Sequence, residues 1–296
     1  MKITLLLLLG CLVYFQSDCQ LMMAEKGKNT AIFRELLKSE VGIYLTDDEE
    51  VNDEISESFR NYWDITPVKV LYTKSDLEKY FGEGHKFIIT IVTVKSTDNE
   101  DYSYFVLMNR SNKSSISLDD FICYVPIDRY YEFKFENMMR RFDYMVSSLN
   151  DALHMTEDGI IPDIKKTNTE PCMTAMSRNA ADLKELTLLI PSEIFNIGII
   201  DFKQMKSPLN KPLFDKDAFE GYPYKYKIMP YEEIENLQEP GKYCLLIPAG
   251  HPLSVYLTVY DMETKKVLLM TQDSKIVTSQ IKASHIKKII ETINGE

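Results

Sequence analysis

Apolar residues in the first half of the chain recur in two spacings, every second residue in short runs and every third or fourth residue in longer stretches. The first spacing predicts β-strands and the second predicts amphipathic helices. In chain order, this half predicts a strand, a helix, a strand, a short helix, a hairpin, a strand and a long helix. These segments are Val41–Leu45, Val51–Trp63, Val68–Tyr72, Leu77–Phe81, Lys86–Val94 with Tyr102–Asn109, Asp120–Ile127 and about Tyr130–Met155.

The second half repeats this order, with an irregular connector in place of the first helix. Its segments are Leu183–Pro191, Gly221–Met229, Tyr231–Leu237, Lys242–Ala249 with Ser254–Met262, Lys265–Met270 and a final helix over Ile281–Ile293. We therefore predict an α/β (α+β) fold of two related units, each a small mixed sheet with helices. The first repeat domain spans 41–155, a linker without sustained periodicity spans 156–182, and the second repeat domain spans 183–296. Each half is long enough to bury a core of its own.

The clearest local echo lies between "VKVLYTKSDLEKY" (Val68–Tyr80) and "YKIMPYEEIENL" (Tyr226–Leu237). Thr73 is a predicted N-cap, and Asp76 stands at the capping-box position behind it. When Thr73 is aligned with Pro230, Val70 is aligned with Lys227. The shared content is one apolar strand and one helix start, which favours a duplicated fold unit over a repeated binding motif.

This unit of strand, helix, strand, short helix and hairpin resembles the N-terminal domain of TolB and related envelope lipoproteins. The residues that carry the resemblance are "VKVLYTKSDLEKY" with "KFIITIVTV" in the first half, and "YKIMPYEEIENL" with "SVYLTVYDMETKK" in the second. The TolB-like hairpin turn usually holds a glycine, which "DMETKK" lacks. The resemblance implies a fold type and a non-catalytic adaptor of the envelope.

The first residues have the layout of a secretory signal peptide: a lysine at position 2, an apolar run over Ile3–Phe15 and small residues before a cut after Cys19. We assign 1–19 to this signal and expect an exported protein, periplasmic or extracellular. The apolar run is shorter than the roughly 20 residues that span a bilayer, so we expect no integral membrane span. An alternative is a lipoprotein processed at Cys11, because "LLGC" resembles a lipobox.

Charge and cysteine content narrow the classes of partner and chemistry. The net charge of −11 disfavours binding to phosphate backbones, so nucleic acid is not an expected partner. Beyond residue 19 the cysteines are Cys123, Cys172 and Cys244, and none belongs to a C-x-x-C pair. The order of elements also resembles a thioredoxin-like domain, but the missing C-x-x-C excludes its redox chemistry. Whether two of these cysteines form a disulfide stays open at this point.

Catalytic and cofactor motifs are absent from the sequence. There is no G-x-S-x-G elbow, no P-loop, no G-x-G-x-x-G and no H-E-x-x-H, and the four histidines are scattered. We therefore expect no cofactor, no metal and, on balance, no enzyme. Cys172 is the one cysteine in a loop-like setting, and carboxylate pairs could meet in the fold. A hydrolase using either group remains an alternative.

Tyrosine is abundant, and the "GYPYKYKIMPY" segment concentrates it. Tyrosine combines apolar area with a polar tip and is favoured at interfaces, although half-exposed sheet faces explain it equally well. This segment is specific to the second repeat. We therefore take Tyr222, Tyr224, Tyr226 and Tyr231 as the candidate partner surface.

Together these patterns indicate an exported, non-catalytic binding or adaptor protein of the bacterial envelope, with an unknown envelope protein or glycan as its partner. Two alternatives stay open: an envelope hydrolase that uses a carboxylate pair or Cys172, and a structural subunit of a homo-oligomer.

Overall fold

We describe the protein from a computed structural model. The description covers residues 29–46, 49–95, 101–110, 120–127, 141–160, 170–196, 198–199, 211–212, 214–215, 217–251, 254–274 and 281–295. The predicted signal peptide lies outside these residues. Among the described residues, no helix combines the length and the apolar character that crossing a membrane requires.

The first half forms a five-stranded mixed sheet, sheet 1, with the strand order β2-β1-β3-β4-β5. Strand β1 is parallel to β2 and β3, whereas β3, β4 and β5 are successively antiparallel. The strands are β1 (Val41–Ile43), β2 (Val68–Val70), β3 (Phe87–Lys95), β4 (Asp101–Asn109) and β5 (Phe121–Ile127). The helices are α1 (Asn29–Leu36), α2 (Glu49–Tyr62), α3 (Lys74–Gly82) and α4 (Phe142–Glu157).

The second half forms sheet 2, again five-stranded and mixed, with the order β9-β6-β10-β11-β12. The strands are β6 (Thr187–Pro191), β9 (Tyr226–Met229), β10 (Tyr243–His251), β11 (Ser254–Asp261) and β12 (Val267–Ser274). The two-residue strands β7 (Gly198–Ile199) and β8 (Lys211–Pro212) pair with each other. The helices are α5 (Glu170–Met176), α6 (Tyr231–Glu235) and α7 (Ala283–Asn294), with 3₁₀ turns at Ala180–Lys184, Ser192–Asn196 and Pro240–Lys242.

The two sheets share one topology. In each sheet the first strand in sequence pairs in parallel with the second and third, and the third, fourth and fifth strands form antiparallel neighbours. Each unit also has a short helix after its second strand and a longer helix after its fifth. The protein is therefore an α+β molecule of two similar units, as the hydrophobic pattern predicts.

The local alignment of the two echoing segments is wrong by one residue within the strands. In sheet 1, Val70 lies opposite Ile43, and in sheet 2 it is Ile228 that lies opposite Ile190 on the corresponding core face. Val70 thus corresponds to Ile228 and not to Lys227. One fewer residue separates the strand from the helix cap in the second unit. Because side chains alternate along a strand, this single residue decides which face each side chain takes.

The long helix of the first unit is shorter than its hydrophobic stripe predicts. Arg141 is its N-cap, with φ −113° and ψ 4°, so α4 begins at Phe142. The predicted portion over 130–140 lies outside the described residues. Within the predicted linker, α5 is a regular helix whose Cys172 and Met176 are buried.

The largest hydrophobic cluster draws on both units. It contains the α2 and α4 faces that cover sheet 1, together with Leu189, Leu245 and Ile247 of sheet 2. Helix α4 is buried on most of its circumference, which marks a helix with neighbours on several sides. The two units therefore share one core layer, to which α4 contributes.

A second cluster covers the opposite face of sheet 2, under α7. A third, smaller cluster covers the other face of sheet 1, beside α3.

Candidate functional site

Strand β9 lies at one edge of sheet 2 and, within the described residues, has β6 as its sole hydrogen-bonded neighbour. Tyr226 is 39% exposed and Ile228 is 47% exposed. They are two of only four large apolar side chains that are exposed in the described part of the chain. We call β9 with the preceding Tyr224 and Lys225 the edge patch.

The difference between the two connectors explains this exposure. In the first unit, helix α2 packs against the corresponding strand and leaves Val68 and Val70 partly buried in the shared core. In the second unit, an irregular connector fills that place with Phe214, Phe219 and Tyr222. These described residues of the connector pack with the side chains of β6, and the Tyr226 ring lies 6.1 Å from that of Phe219 but is still exposed.

The backbone N–H and C=O groups of successive residues in β9 point alternately towards β6 and away from it. The carbonyl of Lys225 accepts a hydrogen bond of 2.9 Å from the N–H of Leu188 in β6. Because successive residues of a strand point their N–H and C=O groups to opposite sides, Lys227 also faces β6. The backbone groups of Tyr226 and Ile228 therefore point away from the sheet.

The structure separates the four tyrosines of the candidate partner surface. Tyr222 and Tyr231 are buried, whereas Tyr224 is half-buried and Tyr226 is exposed. The hydroxyl of Tyr224 donates to Oδ1 of Asn294 at 2.7 Å, which ties the segment to the end of α7. Two of the four side chains are thus internal, and the exposed part of the surface comprises Tyr224 and Tyr226.

Tyr231 contributes to the contact between the two units. The guanidinium carbon of Arg141, at the start of α4, lies 4.8 Å from the centre of the Tyr231 ring. The N–H of Tyr231 donates to both carboxylate oxygens of Glu193, at 3.0 and 3.2 Å. The acid therefore satisfies an N–H of the first turn of α6, where Pro230 supplies no side-chain cap.

Lys225, Lys227 and Ile228 also belong to this surface, although the tyrosine pattern in the sequence does not predict them. Both lysines are exposed, and the Nζ of Lys227 lies 6.0 Å from the centre of the Tyr243 ring, on the sheet face opposite Tyr226 and Ile228. The alternation of lysine with apolar residues in "KYKIM" is the sequence signal that could have revealed a two-faced strand.

A second group of polar side chains surrounds His154, near the end of α4. Nε2 of His154 lies 2.5 Å from Oδ1 of Asp64, and Nδ1 lies 3.8 Å from Oε2 of Glu157. Nδ2 of Asn150 also donates to Oδ1 of Asp64, at 2.9 Å. The hydrogen bonds from His154 and Asn150 lower the pKa of the Asp64 carboxyl. We call these four residues the histidine cluster; three of them lie on α4, but Asp64 is 90 residues away from His154 in sequence, so the sequence could not pair them.

Asp151 lies one helical turn before His154, at the junction of the two units. Burial raises the pKa of its carboxyl, against the opposing charges of Lys266, Arg178 and His154. The Nζ of Lys266, in the second unit, lies 4.0 Å from Oδ1 of Asp151. The effect of burial on this pKa thus exceeds the opposing effect of these neighbours, so Asp151 is a weaker acid than an exposed aspartate.

A tyrosine pair joins α4 to β11 farther along the junction. The rings of Tyr144 and Tyr260 have centres 5.0 Å apart, and Oγ of Ser148 donates to the hydroxyl of Tyr260 at 3.3 Å. Burial raises the pKa of Tyr260 to about 12. Lys265 places its ammonium 4.8 Å from the Tyr144 ring centre, and burial lowers its pKa. These groups pack and hydrogen-bond to each other, so their role is to hold the two units together.

The thiols are internal. Cys123, Cys172 and Cys244 are all buried, and no disulfide joins them. Cys172 lies on α5 within the shared core, and not in the loop-like setting that its sequence indicates. In the described part of the chain, no group of three histidine, cysteine or acidic residues is arranged to hold a metal ion.

Comparison of this chain with protein families, with curated proteins and with solved structures finds no significant match.

Proposed function

We propose that the protein is an exported, non-catalytic binding or adaptor protein of the bacterial envelope, and that it contacts a partner protein through the edge patch. The export component rests on the signal-like residues 1–19. The binding component rests on the exposure of Tyr226 and Ile228 side by side on an edge strand.

That exposure is the observation on which the proposal rests, because the same molecule contains one edge strand with covered side chains, β2, and one with exposed side chains, β9. Natural proteins protect sheet edges with covering elements, charges or very short strands. The first unit covers the side chains of its corresponding edge strand with α2, whereas the second leaves two large apolar side chains in solvent. Apolar side chains grouped at an edge are typical of a surface that another chain covers.

Site-specific photo-crosslinking tests the proposal in the native envelope. A photoreactive phenylalanine analogue at Ile228 is expected to capture one defined partner protein, which mass spectrometry identifies. The matched control is the same analogue at Tyr72, which is 37% exposed but lies beyond β2 in the first unit. Equal capture of the same proteins at both positions, or none at Ile228, overturns the proposal.

The histidine cluster favours one second candidate, an envelope hydrolase that uses carboxylates. Asp64 and Glu157 flank His154, and all three side chains reach solvent. Such groups can exchange protons with a bound substrate. Cys172 is fully buried, so this candidate rests on the carboxylates. Hydrolysis of a glycan or peptide library by the wild-type chain, abolished by Asp64→Asn, would establish it.

A structural homo-oligomer is the remaining alternative. A size-exclusion mass of one chain excludes it, and a mass of several chains that falls on Ile228→Lys substitution supports it.

A further inference from the structure

We infer that the edge patch binds an extended segment in which acidic and apolar residues alternate, and that this segment adds as a sixth strand to sheet 2. The inference rests on the proposed function and specifies the chemistry of the partner. It follows from the direction of the backbone groups, the two faces of β9 and the charge on one of them.

The backbone supplies the docking edge. The N–H and C=O groups of Tyr226 and Ile228 point away from β6, as the Lys225–Leu188 hydrogen bond requires. An added strand can therefore make up to about four main-chain hydrogen bonds with these two residues. A helix has no comparable place, because Phe214, Phe219 and Tyr222 already occupy the position that α2 takes in the first unit.

The two faces of β9 define the side-chain pattern of the segment. Tyr226 and Ile228 lie on the face that continues the core under α7, since they are opposite Leu188 and Ile190. Lys225 and Lys227 lie on the other face. Directly opposed side chains of neighbouring strands share a face. The complementary segment therefore places apolar residues beside Tyr226 and Ile228, and acidic residues beside the lysines.

The lysines also disfavour a second copy of this chain as the occupant. Two β9 strands related by a two-fold axis through the sheet would bring Lys225 and Lys227 of both copies to the same face. Like charges on neighbouring strands repel, and edge lysines commonly protect against such self-pairing. An acidic foreign segment removes this repulsion.

A defined peptide tests the inference with the full chain. The probe is a fluorescein-labelled peptide of the sequence Ser-Glu-Val-Glu-Ile-Glu-Ser, with two controls: a scrambled peptide that groups the acids, and a counterpart with lysine in place of glutamate. Fluorescence anisotropy is expected to show binding of the alternating acidic peptide and weaker binding of both controls. Amide exchange by NMR is expected to slow at Tyr226 and Ile228 on binding, while Lys227, whose N–H already faces β6, changes little.

Charge reversal supplies the second readout. The double variant Lys225→Glu/Lys227→Glu is expected to lose about tenfold in affinity for the acidic peptide and to gain affinity for the lysine peptide. Lys69→Glu, at an exposed lysine of the corresponding strand β2, is the matched control and should leave both affinities unchanged.

The outcomes separate the two proposals. Equal binding of acidic and lysine peptides, no binding of either, or slowed exchange elsewhere than at Tyr226 and Ile228 overturns the inference. A partner captured specifically at Ile228 would still support the proposed function in that case.

Discussion

At the scale of single residues, Tyr80 fixes α3 to sheet 1. It is almost fully buried, and its hydroxyl donates to the carbonyls of Glu40 and Phe87 at 2.8 and 3.1 Å. Its ring stacks on that of His85 with centres 4.3 Å apart. Burial raises the pKa of its hydroxyl, so it remains a donor at any ordinary pH. The ring can approach the strand this closely because the residue beneath it is Gly42.

Gly42→Ala is therefore expected to destabilise the protein. A Cβ there would lie 2.9 Å from Cε1 of Tyr80 and 3.1 Å from Cδ1 of Leu71, and the hydroxyl contacts restrict movement of the ring. Such overpacking costs about 1–3 kcal/mol, measurable by urea denaturation. Gly82→Ala is the matched control, because a Cβ at that helical position meets nothing within 4 Å. It should leave stability unchanged or raise it by up to about 1 kcal/mol. Equal effects of the two substitutions would contradict this account.

The carboxyls of Asp64 and Asp151 are expected to respond to pH with opposite sign. The pKa of Asp64 is lowered in the folded chain, so its stabilising contribution is complete above the ordinary value of about 4 and is lost as the pH falls below it. The pKa of Asp151 is raised, so the unfolded chain releases this proton first. Stability then declines as the pH rises from about 4 towards the folded pKa.

Denaturation of Asp64→Asn and Asp151→Asn across the acid range checks both signs. Asp64→Asn should destabilise at neutral pH and flatten the loss of stability below about pH 4. Asp151→Asn should stabilise at neutral pH and differ little from wild type in strong acid. Destabilisation by Asp151→Asn at neutral pH would mean that its contact with Lys266 outweighs the cost of burial.

At the scale of elements, the short helices α3 and α6 occupy equivalent places but begin differently. Thr73 caps α3 through a complete capping box with Asp76, as the sequence predicts. Pro230 precedes α6 and provides no side-chain acceptor, so Glu193 supplies one from another segment. The first helix is thus fixed by local sequence, and the second depends on a long-range contact.

Thr73→Ala should cost about 1 kcal/mol, because the N–H of Asp76 loses its side-chain acceptor. Thr73→Ser keeps the hydroxyl and should recover most of that loss. The free energy of unfolding of the two variants provides the measurement. An equal loss in both would show that the methyl group, and not the cap, carries the effect.

The elements that the sequence predicts well are those with local signals. The strands of sheet 1 and the cap at Thr73 follow from alternation and from spacing within a few residues, so they could be read directly. The alignment of Val70 with Lys227 is wrong because the cap position defines where the helix begins but not the register of the strand. The second unit has one residue fewer between the strand and the helix cap. The burial of Tyr222 and Tyr231 depends on the connector and on Arg141. The histidine cluster joins Asp64 to α4 across 90 residues, a distance that no local pattern encodes.

At the scale of the whole molecule, the shared core couples the two units. Helix α4 packs in one cluster with strands of both sheets, and its Tyr144 contacts Tyr260 of the second unit. Separating the units would expose Leu245 and Ile247 along with the facing side of α4. Burial of such side chains contributes about 1.5–3 kcal/mol each. We therefore expect the two units to unfold together.

Trp63 makes this expectation easy to check, because it is the single tryptophan and lies in the first unit. Its fluorescence reports that unit alone, whereas far-UV circular dichroism reports both. In urea the two signals should share one midpoint. Leu149→Ala, at a fully buried position of α4, should lower both midpoints together by removing about 2–5 kcal/mol. Separate transitions would show that the shared layer does not couple the units.

The position of α4 also matters during synthesis. When Glu157 has just been added to the chain, the side of α4 that the second unit covers has no partner, and roughly 140 residues separate Glu157 from the end of α7. At about 5–20 residues per second, that interval lasts roughly 7–28 s. An apolar helix face is then open to chaperones or to a neighbouring nascent chain. The second unit therefore protects this face of α4, but only after its own residues have been synthesised.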